Sequence, residues 1–442
     1  MKVAFVFILI LFLFILLVPV LAIDWGLNIS NGSSFSYSKD FDYEQVNKVA
    51  LWLGVNSRDR LKFLMRGSYT YTNDDPYLFD LDAFYFSGKF PVQKKRPYLF
   101  QFTIGRFRYS DFTGYIFGHR ADGFALSFDF SSVSLEFYTG YTGLLFSDTS
   151  MVAMTKGDST EQDDDDYYLA PSRLVEVLKL KFPEIFLRQS LVFSLIAQQD
   201  LRYSGIISEG ETTESETRGG RLHSFYTGLL LTGPFYTGLF YDIFFCLGTG
   251  ITMGYIDDAY ENKANVSYLF GASLRFYSER ALYSGLVFRF LFSSGDKDYE
   301  TYFREGNTKG LSTMFVPVSQ APLALIFLPQ LGNLFLFQLS YSFKPFGNTG
   351  KRAIENFQLS LKDTMFFRPT KGLIDADSLN TDSDSLYVGN ELDFIINYRP
   401  ISDFGMGFSF GFFFPNRSSS GVFDRDERKF EFLARITASL SF

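Results

Sequence analysis

The stretch from Phe430 to Phe442, FEFLARITASLSF, reads with a period of two. Phe430, Phe432, Ala434, Ile436, Ala438, Leu440 and Phe442 are apolar, and between them lie Glu431, Leu433, Arg435, Thr437, Ser439 and Ser441. Successive side chains of a β-strand point to opposite faces, so this is a strand with one apolar face and one mostly polar face. The preceding stretch repeats the pattern: Phe404, Met406, Phe408, Phe410, Phe412 and Phe414 alternate with Gly405, Gly407, Ser409 and Gly411. Large rings on one face and almost nothing on the other make a poor water-soluble strand. In a barrel that crosses a membrane, the rings meet lipid and the small residues face the lumen.

The same rule reads outward along the chain. Val266, Tyr268, Phe270, Ala272, Leu274 and Phe276 fall on a lipid face, with Asn265, Ser267, Ser273 and Arg275 inward. Leu282, Leu286, Phe288, Phe290 and Phe292 are opposed by Arg289, while Leu61, Phe63 and Met65 are opposed by Arg60, Lys62 and Arg66. Phase of this kind gives a place to an unusual composition, 55 Phe and 27 Tyr in 442 residues. A mean hydropathy of only +0.03 then follows, because polar lumen and loops offset the lipid face. The apolar content excludes a disordered chain, and one cysteine excludes a disulfide scaffold. Two histidines give no basis for a His-based metal centre, and no cofactor motif is present. The net charge of -8 argues against a nucleic-acid partner. The soluble rival, a secreted β-sandwich or β-helix, would alternate too but needs neither long Phe ladders nor a terminal aromatic.

Residues 1–22, MKVAFVFILILFLFILLVPVLA, are expected to be a signal peptide cleaved after Ala22; an uncleaved anchor is the alternative. No comparable apolar run follows, so residues 23–442 are expected to cross the membrane as one domain of strands. Phe442 at the end of an alternating strand resembles the signal read by the outer-membrane assembly machinery, with both termini then periplasmic.

A coarse parse finds about 18 strands, ending with those near 386–398, 404–414 and 429–442. Connections after odd strands, which then face outside, are mostly long, above all 142–171, 200–221 and 294–331 with a further loop at 252–264, and those after even strands are mostly short. Long outside and short inside is the asymmetry of an all-β, antiparallel transmembrane barrel. The segment 294–331 could hide two further strands or be a plug-like loop; Pro317, Pro322 and Pro329 favour a loop. The acidic run DSTEQDDDD at 158–166 reads as a solvated loop, with surface binding of a divalent cation as the sharper alternative. No metal site follows from it.

Strand phase sends Arg58, Arg60, Lys62, Arg66, Glu136, Arg188, Arg275, Arg289, Lys362, Glu391, Asp393 and Arg435 to the lumen. Such charges either pair across strands and keep the wall wet, or focus an anionic solute. His119 and His223 lie far apart with no nucleophile elbow beside either, so no enzyme is expected. The expected function is an outer-membrane porin or export channel, most simply monomeric, whose partners are membrane lipid and a small hydrophilic or anionic solute. A fatty-acid or other hydrophobic-solute transporter and a surface adhesin or structural protein are the alternatives.

Two segments carry a family resemblance. GRFRYSDFTGYIFGHRADGFALSFDF (105–130) resembles the Gly-Arg strand and Arg-x-Asp-Gly motif of the alginate-export family of outer-membrane porins, with Gly105, Arg106, Arg120, Asp122 and Gly123 as the matching residues. GNELDFIINYRPISDFGMGFSFGFFFPN (389–416) resembles that family's penultimate hairpin through Gly389, Glu391 and Asp393. The resemblance implies an 18-stranded monomeric barrel passing small solutes or an anionic saccharide, and it adds Arg106 and Asp122 to the pore-lining candidates. The acidic loops depart from what a polyuronate exporter would present.

Overall fold

The computed structural model describes residues 22–442 apart from 58–59, 75, 92–98, 163, 165, 214–217, 299–309 and 426–427. The signal-peptide expectation for 1–22 therefore falls, but for Ala22, outside the described residues, as does Arg58. Eighteen strands run in chain order: β1 (Ala22–Tyr37), β2 (Phe41–Ser57), β3 (Leu61–Tyr71), β4 (Leu78–Pro91), β5 (Leu99–Ser110) and β6 (Gly118–Asp129). Next come β7 (Ser134–Tyr141), β8 (Arg173–Phe186), β9 (Gln189–Asp200), β10 (His223–Tyr236), β11 (Leu239–Ile256) and β12 (Ala259–Ser278). The last six are β13 (Ser284–Ser293), β14 (Phe335–Phe343), β15 (Phe357–Phe367), β16 (Tyr387–Ile401), β17 (Phe404–Pro415) and β18 (Glu431–Ser441). Two short helices, α1 (Lys156–Gln162) and α2 (Arg352–Glu355), lie in the connections.

Every strand pairs antiparallel with its sequence neighbours, and β18 pairs with β1 from Asn28↔Ser441 to Tyr37↔Phe432. The sheet is a closed barrel, and closure leaves no edge strand in lipid. Exposure follows the period read from the sequence: Ile436, Phe245, Phe276 and Phe288 are exposed on the outside. Cys246, Leu269 and Leu291, in the opposite phase, are buried on the inside.

What they are buried against is the long connections. Residues 310–334 form an irregular loop inside the barrel without strands of their own, so the count stays at 18. Met314, Phe315 and Val318 are fully buried in one cluster with wall residues Tyr226, Leu269 and Phe413. Phe327 stacks on Phe413 at 4.6 Å, and Tyr226 donates its hydroxyl hydrogen to the Val316 carbonyl at 2.5 Å. Of the arrangements left open for 294–331, the described residues 310–334 take the inward, plug-like one rather than that of a free outer loop.

Three expectations are corrected. The connection placed at 252–264 is not a loop: β11 and β12 continue to a two-residue turn, Asp257-Asp258, both at positive φ as tight hairpin turns require. Leu282 belongs not to a lipid-facing strand but to the turn before β13, again at positive φ. The acidic run is only partly solvated, because Asp158 within α1 is fully buried.

Candidate functional site

The plug packs mainly on the wall from β10 to β17, and the clearest open space lies across from it, on β2–β6. There a cavity of about 890 Å³ is lined by Lys48, Lys62, Arg66, Arg108 and Arg120, with Asp82 and His119 beside them and Thr149 and Met151 of the 142–172 connection opposite. The local sequence builds this site through a register shift. Arg66 pairs with Ala83 and the next residue, Gly67, with Leu81, which leaves Asp82 as an extra residue on β4. A bulge of this kind re-aims side chains. Asp82 lies within ion-pair distance of Lys48 (3.0 Å), Arg66 (3.4 Å) and Arg120 (3.0 Å), and Arg120 also meets Asp80 at 2.8 Å. Lys62 and Arg108 make no ion pair among the described residues; Lys62 lies over the Tyr85 ring at 5.9 Å, and Arg108 donates to the Gly118 carbonyl at 2.9 Å. On β3 Lys62 is four residues nearer the short-turn end than Arg66, whereas Arg108 and Arg120 sit near the long-loop ends of β5 and β6. The cations therefore form a ladder along the wall.

His119 is spent on structure. Its Nδ1 is 2.9 Å from the Arg120 carbonyl and its Nε2 accepts from the Met151 N–H at 3.1 Å, so Nδ1 holds the proton and the ring is neutral. His223 likewise accepts from the Asp200 N–H through Nδ1. Among the described residues no group of three or more His, Cys, Asp or Glu is placed to hold a metal ion.

Lys62 and Arg66 are the expected lumen charges that reach the cavity. Arg60 lies in the turn before β3 and is exposed at the short-turn mouth. Arg188 is also off the wall: with Leu187 it forms the two-residue turn between β8 and β9, both at positive φ. Phase counting could not separate these turn residues from the strands they end. Arg106 is nearly buried, held by Asp122 (2.7 Å) and by the carbonyls of Leu81 and Leu144. Glu136 accepts from the Tyr109 hydroxyl at 2.6 Å and pairs with Lys179 at 3.1 Å. Arg275 pairs with Asp242, and Arg289 lines the same cavity of about 350 Å³ without an ion pair among the described residues. Lys362 pairs with Asp393, its direct cross-strand partner, at 2.8 Å. Arg435 lies on β18 opposite Ser34 and Ser409, with no ion pair among the described residues.

Glu391 does something the sequence did not suggest. Its carboxylate accepts the N–H groups of Leu325 (2.6 Å), Ile326 (2.9 Å) and Phe327 (2.8 Å), so it moors the plug to β16. The first motif is structural as well. Arg106 and Asp122 are cross-strand partners, and so are Gly105 and Gly123. A Cβ on Gly123 would stand 1.9 Å from the Thr139 carbonyl oxygen, so the strands approach there more closely than any side chain permits.

Lys48, Asp80, Asp82 and Arg108 were missed. Lys48 was legible, since Val49, Leu51 and Leu53 mark the opposite, outward phase of β2. Arg108 was not. Plain alternation puts it in the phase of outward Ile104, and Gly105 between them, at φ 119°, has a backbone that only glycine takes readily.

No protein-family model matches the chain, so the alginate-export resemblance rests on its two motifs alone. No curated protein matches it by sequence. The fold, by contrast, recurs in solved structures from Pseudomonas aeruginosa. OpdO is similar with a TM-score of 0.56 at 12% identity, over 95% of this chain and 97% of that one. OpdL gives 0.55 at 12% identity, over 95% and 98%. The outer membrane protein opdK gives 0.53 at 10% identity, over 95% and 99%. At such identities the likeness is one of architecture: this chain is a closed 18-stranded β-barrel whose fold is similar to that of those structures.

Proposed function

We propose that the barrel is a channel for small anionic solutes, guided along the basic wall of β2–β6. The observation that carries this is the charge imbalance of the 890 Å³ cavity. Lys48, Lys62, Arg66, Arg108 and Arg120 stand against Asp82, with Asp80 bound to Arg120; five minus two leaves a surplus of three positive charges. That surplus occurs in a chain whose net charge is -8. Low-dielectric walls focus such a field on the space between them, and basic rings or ladders are how anion-passing pores select.

Lys62 and Arg108 are free to meet a carboxylate or phosphate, while Asp82 holds the other cations in place. The plug fills much of the opposite side, which suits a small solute better than a polymer. An anionic saccharide unit, as the alginate-export resemblance implies, falls within this class. A hydrophobic solute finds less support. The apolar residues of the plug, Met314, Phe315 and Val318, are used up against the wall rather than lining open space.

Proteoliposome uptake with size-matched solutes tests the reading. Gluconate should enter faster than glucosamine by about tenfold at low ionic strength, with glucose between them. Equal rates, or faster glucosamine, would contradict it.

A further inference from the structure

We infer that the outer rim of the barrel around β10–β12 binds the phosphate of an anionic membrane lipid. The connection after β9 begins and ends on the inward side, with Arg202 paired to Asp200 and Leu222 in the buried cluster of the plug. Its middle folds over the outward side of the β11–β12 hairpin, where Ile207 packs on Met253 and Tyr260. Backbone bonds fix it there: the Gly210 N–H donates to the Tyr260 carbonyl at 2.8 Å and the Tyr260 N–H to the Glu211 carbonyl at 2.9 Å. Beneath this overhang is a cleft of about 430 Å³.

The cleft is amphipathic in a particular order. Its floor includes Ile251, 49% exposed and in the same outward phase as Phe245 and Leu247, so it runs on from the lipid-facing belt. Its rim has Arg221, His223 and Ser208. Arg221 is exposed and has no ion pair among the described residues. Because His223 accepts the Asp200 N–H through Nδ1 at 3.3 Å, its Nε2 is left as a donor. The rim carboxylate, Glu209, is engaged by the Asn262 amide at 2.8 Å.

Height decides the occupant. A membrane-crossing strand needs roughly 9–11 residues. From Leu239, at the short-turn end of β11, to Ile251 is thirteen residues counting both ends, which brings Ile251 to the outer interface. An acyl chain against Ile251 would place its headgroup phosphate beside Arg221 and His223. A guanidinium matches a phosphate well through paired N–H donors, and basic pockets at membrane interfaces hold anionic headgroups.

Native mass spectrometry of the purified barrel in detergent tests this. The probes are diphosphorylated lipid A, the same lipid with its phosphates removed, and inorganic phosphate. The diphosphorylated lipid should be retained at least about tenfold more tightly than the dephosphorylated one, and an R221A/H223A variant should lose that difference. Inorganic phosphate should not displace it. Both residues lie outside the lumen, so the variant should keep wild-type single-channel conductance, which shows that it is folded whatever solute the pore passes. Equal retention of the two lipids, or equal retention by variant and wild type, overturns the inference. Displacement by inorganic phosphate also overturns it, since the site would then take free phosphate.

Discussion

Asp82 touches three cations, Lys48, Arg66 and Arg120, and so sets how much positive charge the lumen wall shows. Asp82→Asn removes one of two negative charges and raises the surplus from three to four. Anion-over-cation permeability should rise about two- to fivefold, corresponding to roughly 0.4–1 kcal/mol for a screened unit charge, read as a shift in reversal potential. A fall would show that Asp82 mainly positions the cations. Glu391 makes a second case. Glu391→Gln keeps the shape but removes charge from three hydrogen bonds to the plug, each worth about 1.5–3 kcal/mol when one partner is ionised. Residues 325–327 should exchange amide hydrogen faster and single-channel current should become noisier; unchanged exchange would remove Glu391 from the mooring role. At this scale the sequence was legible in part. Alternation put Lys62, Arg66 and Lys362 in the inward phase of their strands, but it could not distinguish a wall charge from a turn charge such as Arg188, nor an unpaired charge from a sequestered one such as Arg106. Those differences depend on φ at turns and on partners from distant strands.

The acidic connection shows the same limit in a larger unit. Six carboxylates in DSTEQDDDD suggest hydration, yet Asp158 is fully buried with Arg173 and joins a closed ring with Asp200 and Arg202. The ring ties α1 to the outer ends of β8 and β9, and the partners that make it possible lie 15 to 44 residues away. Removing one member of a buried pair leaves an uncompensated charge, at a cost of about 3–5 kcal/mol, whereas removing both charges costs less. Asp158→Leu alone should therefore expose 142–171 to proteolysis, and adding Arg173→Met should restore much of the protection, because Asp200 and Arg202 still pair at 2.8 Å. A double variant cut as fast as the single one would contradict this account. Pro317, Pro322 and Pro329 argued against strands in the plug segment, but whether that loop lies outside or folds inward was not legible. Nor were its mooring points, since they are backbone N–H groups and carry no residue signature. The β11–β12 hairpin was misread as a loop because Asp257-Asp258 looks like loop composition, although two polar residues suffice to turn a hairpin.

For the whole molecule, strand number and order were readable because period two is imposed by lipid outside and water or plug inside. The expected count of about 18 agrees with the eighteen strands of the barrel, and the parity of long and short connections follows from antiparallel neighbours in a closed sheet. The site was less readable because it arises from closure: the plug covers one side of the lumen and leaves the basic wall of β2–β6 facing open space. The field of that wall is screened over about 10 Å at 0.1 M salt and about 3 Å at 1 M. Selectivity should accordingly fall as salt is raised. The most direct test is the reversal potential of the purified barrel in planar bilayers across a tenfold KCl gradient, for wild type and for a K62A/R108A variant. Chloride selectivity is expected in the wild type, and a shift toward zero in the variant. Potassium selectivity in the wild type, or a variant with an unchanged reversal potential, would contradict the proposed anion guidance along β2–β6.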